Sequence, residues 1–283
     1  MTTTTTRSAP WAAVRAGLSR GWIETRQASV VNYVFPSVVY AGTVLFLRRL
    51  TVPGTNVSIG AMVLPSLLGM LIAFSGLTGP ASVIATDAED GTLLRAKATP
   101  HGMLGYLVGK IVMFALTALA GLVPLIVPGI MVAGELAVDA RTLPLLALIF
   151  VAGMVATVPI GLALGAKMKS SLQAGIVLLV TLPVVLLSGI FYPLSRLPAW
   201  LQWVGQAFPF YWVGLGARAA MLPPEMAAVE IGASWRTAEM IAVLGAWGVL
   251  GLALAPAALR HLARRQSGST VAAARDRIMA KGY

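Results

Sequence analysis

Asp87-Ala88-Glu89-Asp90-Gly91-Thr92-Leu93-Leu94-Arg95-Ala96-Lys97-Ala98-Thr99-Pro100 is a short polar island between two long apolar runs, and it holds three of the ten acidic residues in the chain. Each flanking run is long enough to span a bilayer, so the island is a loop that returns to the water phase it left. Asp90-Gly91 is a turn signal. Thr92 is placed to cap a short helix, with Leu93, Leu94 and Arg95 in its first turns, and Thr99-Pro100 ends it. Two readings stand side by side. The stretch is a solvated connection between two membrane helices, or it is a docking helix that takes force from a cytosolic partner.

Composition decides the class. Of the 283 residues, 58% are hydrophobic and only 11% charged. The mean hydropathy is +0.83. A soluble domain carries about 25% charged residues. The chain therefore reads as an all-α, polytopic membrane protein of one domain, with no room for a large soluble one. The net charge of +11 is scattered between apolar runs and at both termini rather than gathered in a patch, which argues against a nucleic-acid partner. Absence of cysteine excludes a disulfide framework or a thiolate metal site. His101 and His261 have no ligand-like spacing. Arginine outnumbers lysine sixteen to five, and alanine is abundant, a composition typical of a GC-rich bacterial genome.

Six spans are expected outward from the island. They run over roughly 30–47, 60–86, 103–132, 142–166, 171–192 and 238–259, the third bent near Pro124 and Pro128. Residues 1–9 form a Thr-rich tail expected to be disordered. Residues 10–27 read as an amphipathic helix, with Trp11, Val14, Leu18 and Trp22 on one face and Arg20 and Glu24 on the other. The two tryptophans make them candidate anchors in the membrane interface; the alternative is an ordinary helix packed on the membrane domain. With the N-terminus inside, fourteen Lys and Arg fall on cytosolic segments and six outside, with Arg48-Arg49 the awkward pair. The positive-inside rule then puts both termini, the basic tail 260–283 and the island in the cytosol.

Between the last two spans, Phe191 to Trp212 holds eight of the twenty-one aromatic residues, interrupted by Pro193, Pro198 and Pro209. Its segment 199–219 is apolar but broken, and it reads as one or two short re-entrant helices in the outer interface.

Several chemistries are missing. The expected spans contain no Asp or Glu; Asp87 lies just past the second and Glu239 opens the sixth. Coupled carriers and intramembrane hydrolases place carboxylates or histidines in the membrane interior. Lys110, near the cytosolic end of the third span, is read as snorkelling to the interface. Gly161-Leu-Ala-Leu-Gly165-Ala166-Lys167-Met168 departs from a phosphate-binding loop at Ala166 and Met168, so the chain is not expected to hydrolyse ATP alone. Gly105-x-x-x-Gly109 and Gly161-x-x-x-Gly165 read as internal helix packing.

Two stretches together resemble a family. Glu89, Gly91-Thr92-Leu93, Thr99-Pro100, Tyr106, Gly109 and Lys110 are similar to the loop after the second span of ABC-2 type exporter permeases. Ser188-Gly189, Phe191, Pro193, Leu197-Pro198, Trp200, Pro209 and Arg218 resemble that family's second signature, in the pattern of its daunorubicin-type drug-resistance branch. The resemblance implies a homodimeric or heterodimeric permease with two cytosolic ATPase subunits, which bind ATP and Mg; this chain would hold no cofactor. It implies that Glu89, Gly91, Thr92, Leu93, Leu94, Arg95 and Pro100 belong to a coupling helix seated in a groove on the ATPase; on that footing Leu93 and Leu94 are expected to pack into the ATPase and Glu89 and Arg95 to make polar contacts at its rim. The 188–218 signature would close the outer side of the path. Location in a bacterial plasma membrane and export of an amphiphilic or hydrophobic substrate follow from the same resemblance. A secondary carrier, or a membrane scaffold that recruits a cytosolic protein, are the alternatives.

Overall fold

The computed structural model describes residues 10–27, 31–51, 58–99, 102–168 and 171–265. The expected 1–9 tail, Pro100, His101, Lys169 and the last part of the basic tail lie outside the described residues. Among the described residues there is no strand, only one isolated bridge between Thr51 and Ser58. The described residues form eleven α-helices and a few 3-10 turns: α1 (Pro10–Gln27), α2 (Val31–Leu47), α3 (Ile59–Glu89), α4 (Thr92–Lys97), α5 (Gly102–Leu122), α6 (Ile126–Val132), α7 (Thr142–Gly165), α8 (Ser171–Leu187), α9 (Ala199–Ala207), α10 (Pro209–Met221) and α11 (Thr237–Arg265).

Among the described residues four stretches are long and apolar enough to cross a membrane: Ile59–Glu89, Gly102–Glu135, Thr142–Gly165 and Thr237–Arg265. Val34–Leu47 and Gly175–Leu187 are apolar but shorter. The third expected span breaks where its prolines stand. Val123–Leu125 is a 3-10 turn with Pro124 inside it, and α6 carries Pro128. Proline cannot donate the i to i−4 bond and so re-aims the helix there.

The long helix α3 is the axis of the fold and touches α2, α5, α7, α8 and α10. Ser58 caps its start, its hydroxyl accepting from the Ala61 amide at 3.1 Å, as orphan amides at a helix N-terminus require. Small residues let the other helices approach. A β-carbon added at Gly165 would stand 2.5 Å from the Ala81 carbonyl oxygen, and one at Gly161 would collide with the Leu77 carbonyl. The Gly161/Gly165 pair is thus the seam between α7 and α3. α11 lays a stripe of Leu244, Gly248, Gly251, Ala255, Leu259 and Ala263 inward, with Gly248 and Gly251 against Val155, Pro159 and Ile160 of α7.

Helix α1 lies against the first turns of α5. A β-carbon at Gly17 would meet the Gly105 carbonyl oxygen at 2.7 Å, and one at Gly21 the Gly109 carbonyl oxygen at 2.6 Å. The Gly105/Gly109 pair therefore packs on a second small-residue pair within the same chain. Trp11 and Trp22 are exposed on the far side of α1.

The aromatic stretch divides into two unlike helices. Trp200 and Trp203 of α9 are exposed, whereas Phe210, Tyr211 and Trp212 of α10 are buried. α10 wedges between α3 and α7, with Gly214 against Gly69 and Val213 against Gly153. Anchoring in an interface suits α9 alone.

Candidate functional site

The polar island folds as a hinge and a two-turn helix. α3 continues to Glu89, so Asp87 lies in its last turn rather than in a loop. Gly91 is the N-cap of α4, in place of the expected Thr92, and has φ +79°. That left-handed backbone costs an ordinary L-residue about 1–2 kcal/mol and glycine almost nothing. The Asp90 side chain accepts from the Thr92 amide at 2.8 Å, which closes the turn.

The faces of α4 are unequal. Leu93 is 0% exposed and Ala96 is buried, while Leu94 is half-buried and Arg95 and Lys97 are exposed. Leu93 is consumed by the chain's own core and is not free to pack into a partner, contrary to its expected role. Leu94 keeps an accessible side. Arg95 folds back on its own turn, Nη2 donating to the Thr92 hydroxyl at 2.8 Å. Lys97 Nζ donates to the Ala263 carbonyl at 3.1 Å, tying α4 to the end of α11. Such a cation suits orphan carbonyls at a helix C-terminus.

Behind α4 sits an ionic cluster that the sequence did not reveal. Lys110 is 4% exposed and does not snorkel. Its Nζ lies 2.7 Å from Asp87 Oδ2 and 2.8 Å from Glu24 Oε2. Tyr106 donates its hydroxyl to Asp87 Oδ2 at 2.6 Å, and Arg20 Nε lies 2.7 Å from Glu24 Oε1. The Arg20 guanidinium and the Lys110 ammonium stand 5.1 and 5.4 Å from the Tyr106 ring centre, within cation–π range. The cluster joins α1, α3 and α5, the two helices that flank α4 among them. Burial raises the Glu24 carboxyl pKa, but the hydrogen bonds and charges of Lys110 and Arg20 outweigh it, leaving a net value below the ordinary 4.5. The signal was present in pieces: Arg20 and Glu24 four apart, Tyr106 and Lys110 four apart, and a carboxylate at the end of the preceding span.

The second signature builds a cap at the other end of α3. Ser188 is buried and donates to the Val185 carbonyl at 2.7 Å. Gly189 has φ +66°, and a β-carbon there would lie 2.8 Å from Leu194, so both backbone and space require glycine. Arg218, 7% exposed, holds the turn: Nη1 donates to the Ile190 carbonyl at 3.1 Å and Nε to Glu230 Oε1 at 2.8 Å. Glu230 was not foreseen as its partner. Pro209 opens α10, where a missing amide costs nothing. Pro193 precedes a 3-10 turn at Leu194–Arg196, Leu197 packs partly on the core, and Pro198 stands before α9. Phe191 and Trp200 stay exposed. Trp212 Nε1 donates to the Gln206 carbonyl at 2.7 Å and Trp247 Nε1 to the Ala207 carbonyl at 2.9 Å, pinning the α9–α10 break from two sides.

The arrangement offers a short helix rigidly mounted at one end of a helical membrane domain and a closed cap at the other. No curated protein matches the chain. The family model for the ABC-2 type transporter matches residues 12–222, three quarters of the chain, including both signatures. The chain belongs to the ABC-2 type transporter family, the non-catalytic membrane part of transporters that generally work with a cytosolic ATP-binding subunit.

Proposed function

We propose that this chain is the permease subunit of an ATP-driven exporter in a bacterial plasma membrane, moving an amphiphilic or hydrophobic substrate out of the cytoplasm. The observation that carries it is α4: a two-turn helix whose Leu93 face is locked into the membrane domain while Leu94 and the Arg95 and Lys97 side face outward. A solvated connection needs no buried anchor and no bond to the end of α11. In this reading two permeases, most simply identical, pair above two ATPase subunits that bind ATP and Mg. The four long helices plus α2 and α8 make six spans, both termini are cytosolic, and α9–α10 is the re-entrant outer closure. The pattern 188–218 favours the daunorubicin-type branch. ATP binding moves the ATPases, α4 moves with them, and substrate follows because its affinity differs between the two states.

A second reading has one observation in its favour. Asp87 lies inside the membrane helix α3 and not beyond it, so an ionisable carboxylate does reach the membrane domain. A coupled carrier would use it. Its bonding to both Lys110 and Tyr106, at the last turn of α3, favours a structural role. The test uses the absence of cysteine. A single cysteine at Leu94 is crosslinked in intact cells and the captured protein identified. Capture of a nucleotide-binding protein, altered when ATP is trapped, is expected. A folded chain that captures no such protein would return the carrier and scaffold readings.

A further inference from the structure

Three cavities of similar size open along the membrane helices, of about 490, 530 and 450 Å³. They differ in chemistry. The second is lined by a single hydroxyl residue, Thr237, and the third by Thr157 and Thr181, both buried. The first, between α2, α3 and α5, is lined by Ser37, Tyr40, Ser75, Thr78, Ser82 and Thr117. The other two cavities are the internal control: hydroxyls are not simply the background of this membrane domain. Ser75, Thr78 and Ser82 follow one another at helical spacing on a single face of α3, and none of them is buried.

The hydrogen bonds fix what three of these hydroxyls offer. Ser75 donates to the Leu71 carbonyl at 2.5 Å, Thr78 to the Phe74 carbonyl at 2.9 Å and Thr117 to the Phe114 carbonyl at 3.1 Å. Each hydroxyl hydrogen is used within its own helix, as expected where no water completes the bonding. The oxygen lone pairs remain, so these three groups are acceptors. Among the described residues no charged side chain lines the cavity. An ammonium or carboxylate entering it would lose hydration without a counter-charge. The Phe114 ring forms part of the wall against Gly79, where a β-carbon would stand 2.9 Å from Cε1. Aromatic and aliphatic wall with a row of acceptors fits a ligand with a flat or chain-like apolar body and neutral O–H or N–H groups.

We propose that the cavity between α2, α3 and α5 is a binding site for uncharged amphiphiles that donate hydrogen bonds, and that such molecules are the substrate class. Only the word substrate rests on the exporter reading. An acyl chain of the surrounding lipid is the competing occupant; it has nothing to donate.

The experiment uses the purified full-length permease in phosphatidylcholine nanodiscs and two probes with the same body, 1-pyrenebutanol and its methyl ether. Binding is read by energy transfer from tryptophan, with empty discs subtracted. The alcohol is expected to bind about tenfold more tightly than the ether, the worth of one or two net hydrogen bonds. The shape-preserving triple change Ser75→Ala, Thr78→Val, Ser82→Ala is expected to bring the ratio near one, while Thr237→Val in the second cavity leaves it unchanged. Thr78→Val and Ser82→Ala are also made singly, each lowering the ratio about two- to fourfold, so that the claim does not depend on the triple variant folding. Equal binding of alcohol and ether by the unaltered chain, or an alcohol preference that survives these changes, overturns the site. The preference is independent of any ATPase. A chain that keeps it but captures no nucleotide-binding protein at Leu94 retains the site and loses the exporter reading; the reverse pair of results retains the exporter and loses the site.

Discussion

Lys110 shows what a single buried charge does in a chain this poor in charge. Its ammonium offsets two carboxylates, and one of them, Asp87, sits at the C-terminus of α3, where the helix dipole disfavours a negative group. Removing the ammonium leaves Asp87 without a counter-charge and Glu24 with Arg20 alone, a change that costs about 3–5 kcal/mol. Lys110→Met is expected to lower the melting temperature of the purified permease sharply, and adding Asp87→Asn and Glu24→Gln to recover much of the loss. A melting curve for Lys110→Met that overlays the unaltered protein would show that the cluster contributes nothing. The cluster also sets a pH dependence. Glu24 has a lowered folded pKa, so its contribution is complete above the ordinary carboxylate value of 4.5 and is lost as pH falls through the lower folded value. Melting temperature measured from pH 7 downward is expected to hold until below 4.5 and then fall, and Glu24→Gln to flatten that descent. The pieces of the cluster were legible in sequence but their meeting was not, because periodicity reports which face of a helix is polar but not which distant helix meets it. Arg20 and Glu24 were read correctly as one face of α1, and that face turned out to be the packed one.

At the scale of elements, sequence and structure agree where the signal is local. The bounds of α1 fall at 10 and 27, α7 opens at Thr142, and the bend comes at Pro124, because capping and proline chemistry act within a few residues. They part where tertiary packing chooses between neighbours. Leu93 and Leu94 are equivalent in hydropathy, yet one is taken into the core and the other stays at the surface, a choice made by the register of α4 on α3 and α5. The two leucines should therefore fail differently. Leu94→Asp is expected to leave the fold intact and to abolish substrate stimulation of the partner ATPase. Leu93→Ala is expected to cost about 2–5 kcal/mol of stability, as for other buried leucines. Stimulated ATPase activity and thermal unfolding, measured on both variants, separate them. Unchanged stimulation with Leu94→Asp would remove α4 from the coupling path. The aromatic stretch was ambiguous for the same reason: composition marks Phe191 to Trp212 as unusual, but only packing shows α10 enclosed by protein and α9 not.

At the scale of the molecule, α3 relates the two charged ends to each other. Its start lies beside the Arg218–Glu230 cap, since Ile59, Met62 and Val63 share a small cavity with that pair. Its last turn carries Asp87 and the Lys110 cluster. From Met62 to Asp87 a helix rises about 37 Å at 1.5 Å per residue, slightly more than the roughly 30 Å of a bilayer's hydrocarbon core. No Asp, Glu, Lys or Arg falls on α3 between those ends, nor within α2, α7 or α8. The fold thus holds a slab free of charged side chains, bounded by two buried ion-pair layers, of the thickness a membrane requires. In the proposed reading the two ends of the slab lie on opposite sides of the bilayer, and the excess of Lys and Arg on the α4 end puts that end in the cytosol. Asp90 and Glu225, exposed at opposite ends, make the claim testable in a chain without cysteine. With a membrane-impermeant maleimide on intact cells, Glu225→Cys is expected to label at once and Asp90→Cys only after permeabilisation. Labelling of both from outside would mean the slab does not span the bilayer. The reverse order would invert the molecule, leaving α4 on the side where no cytosolic ATPase could reach it.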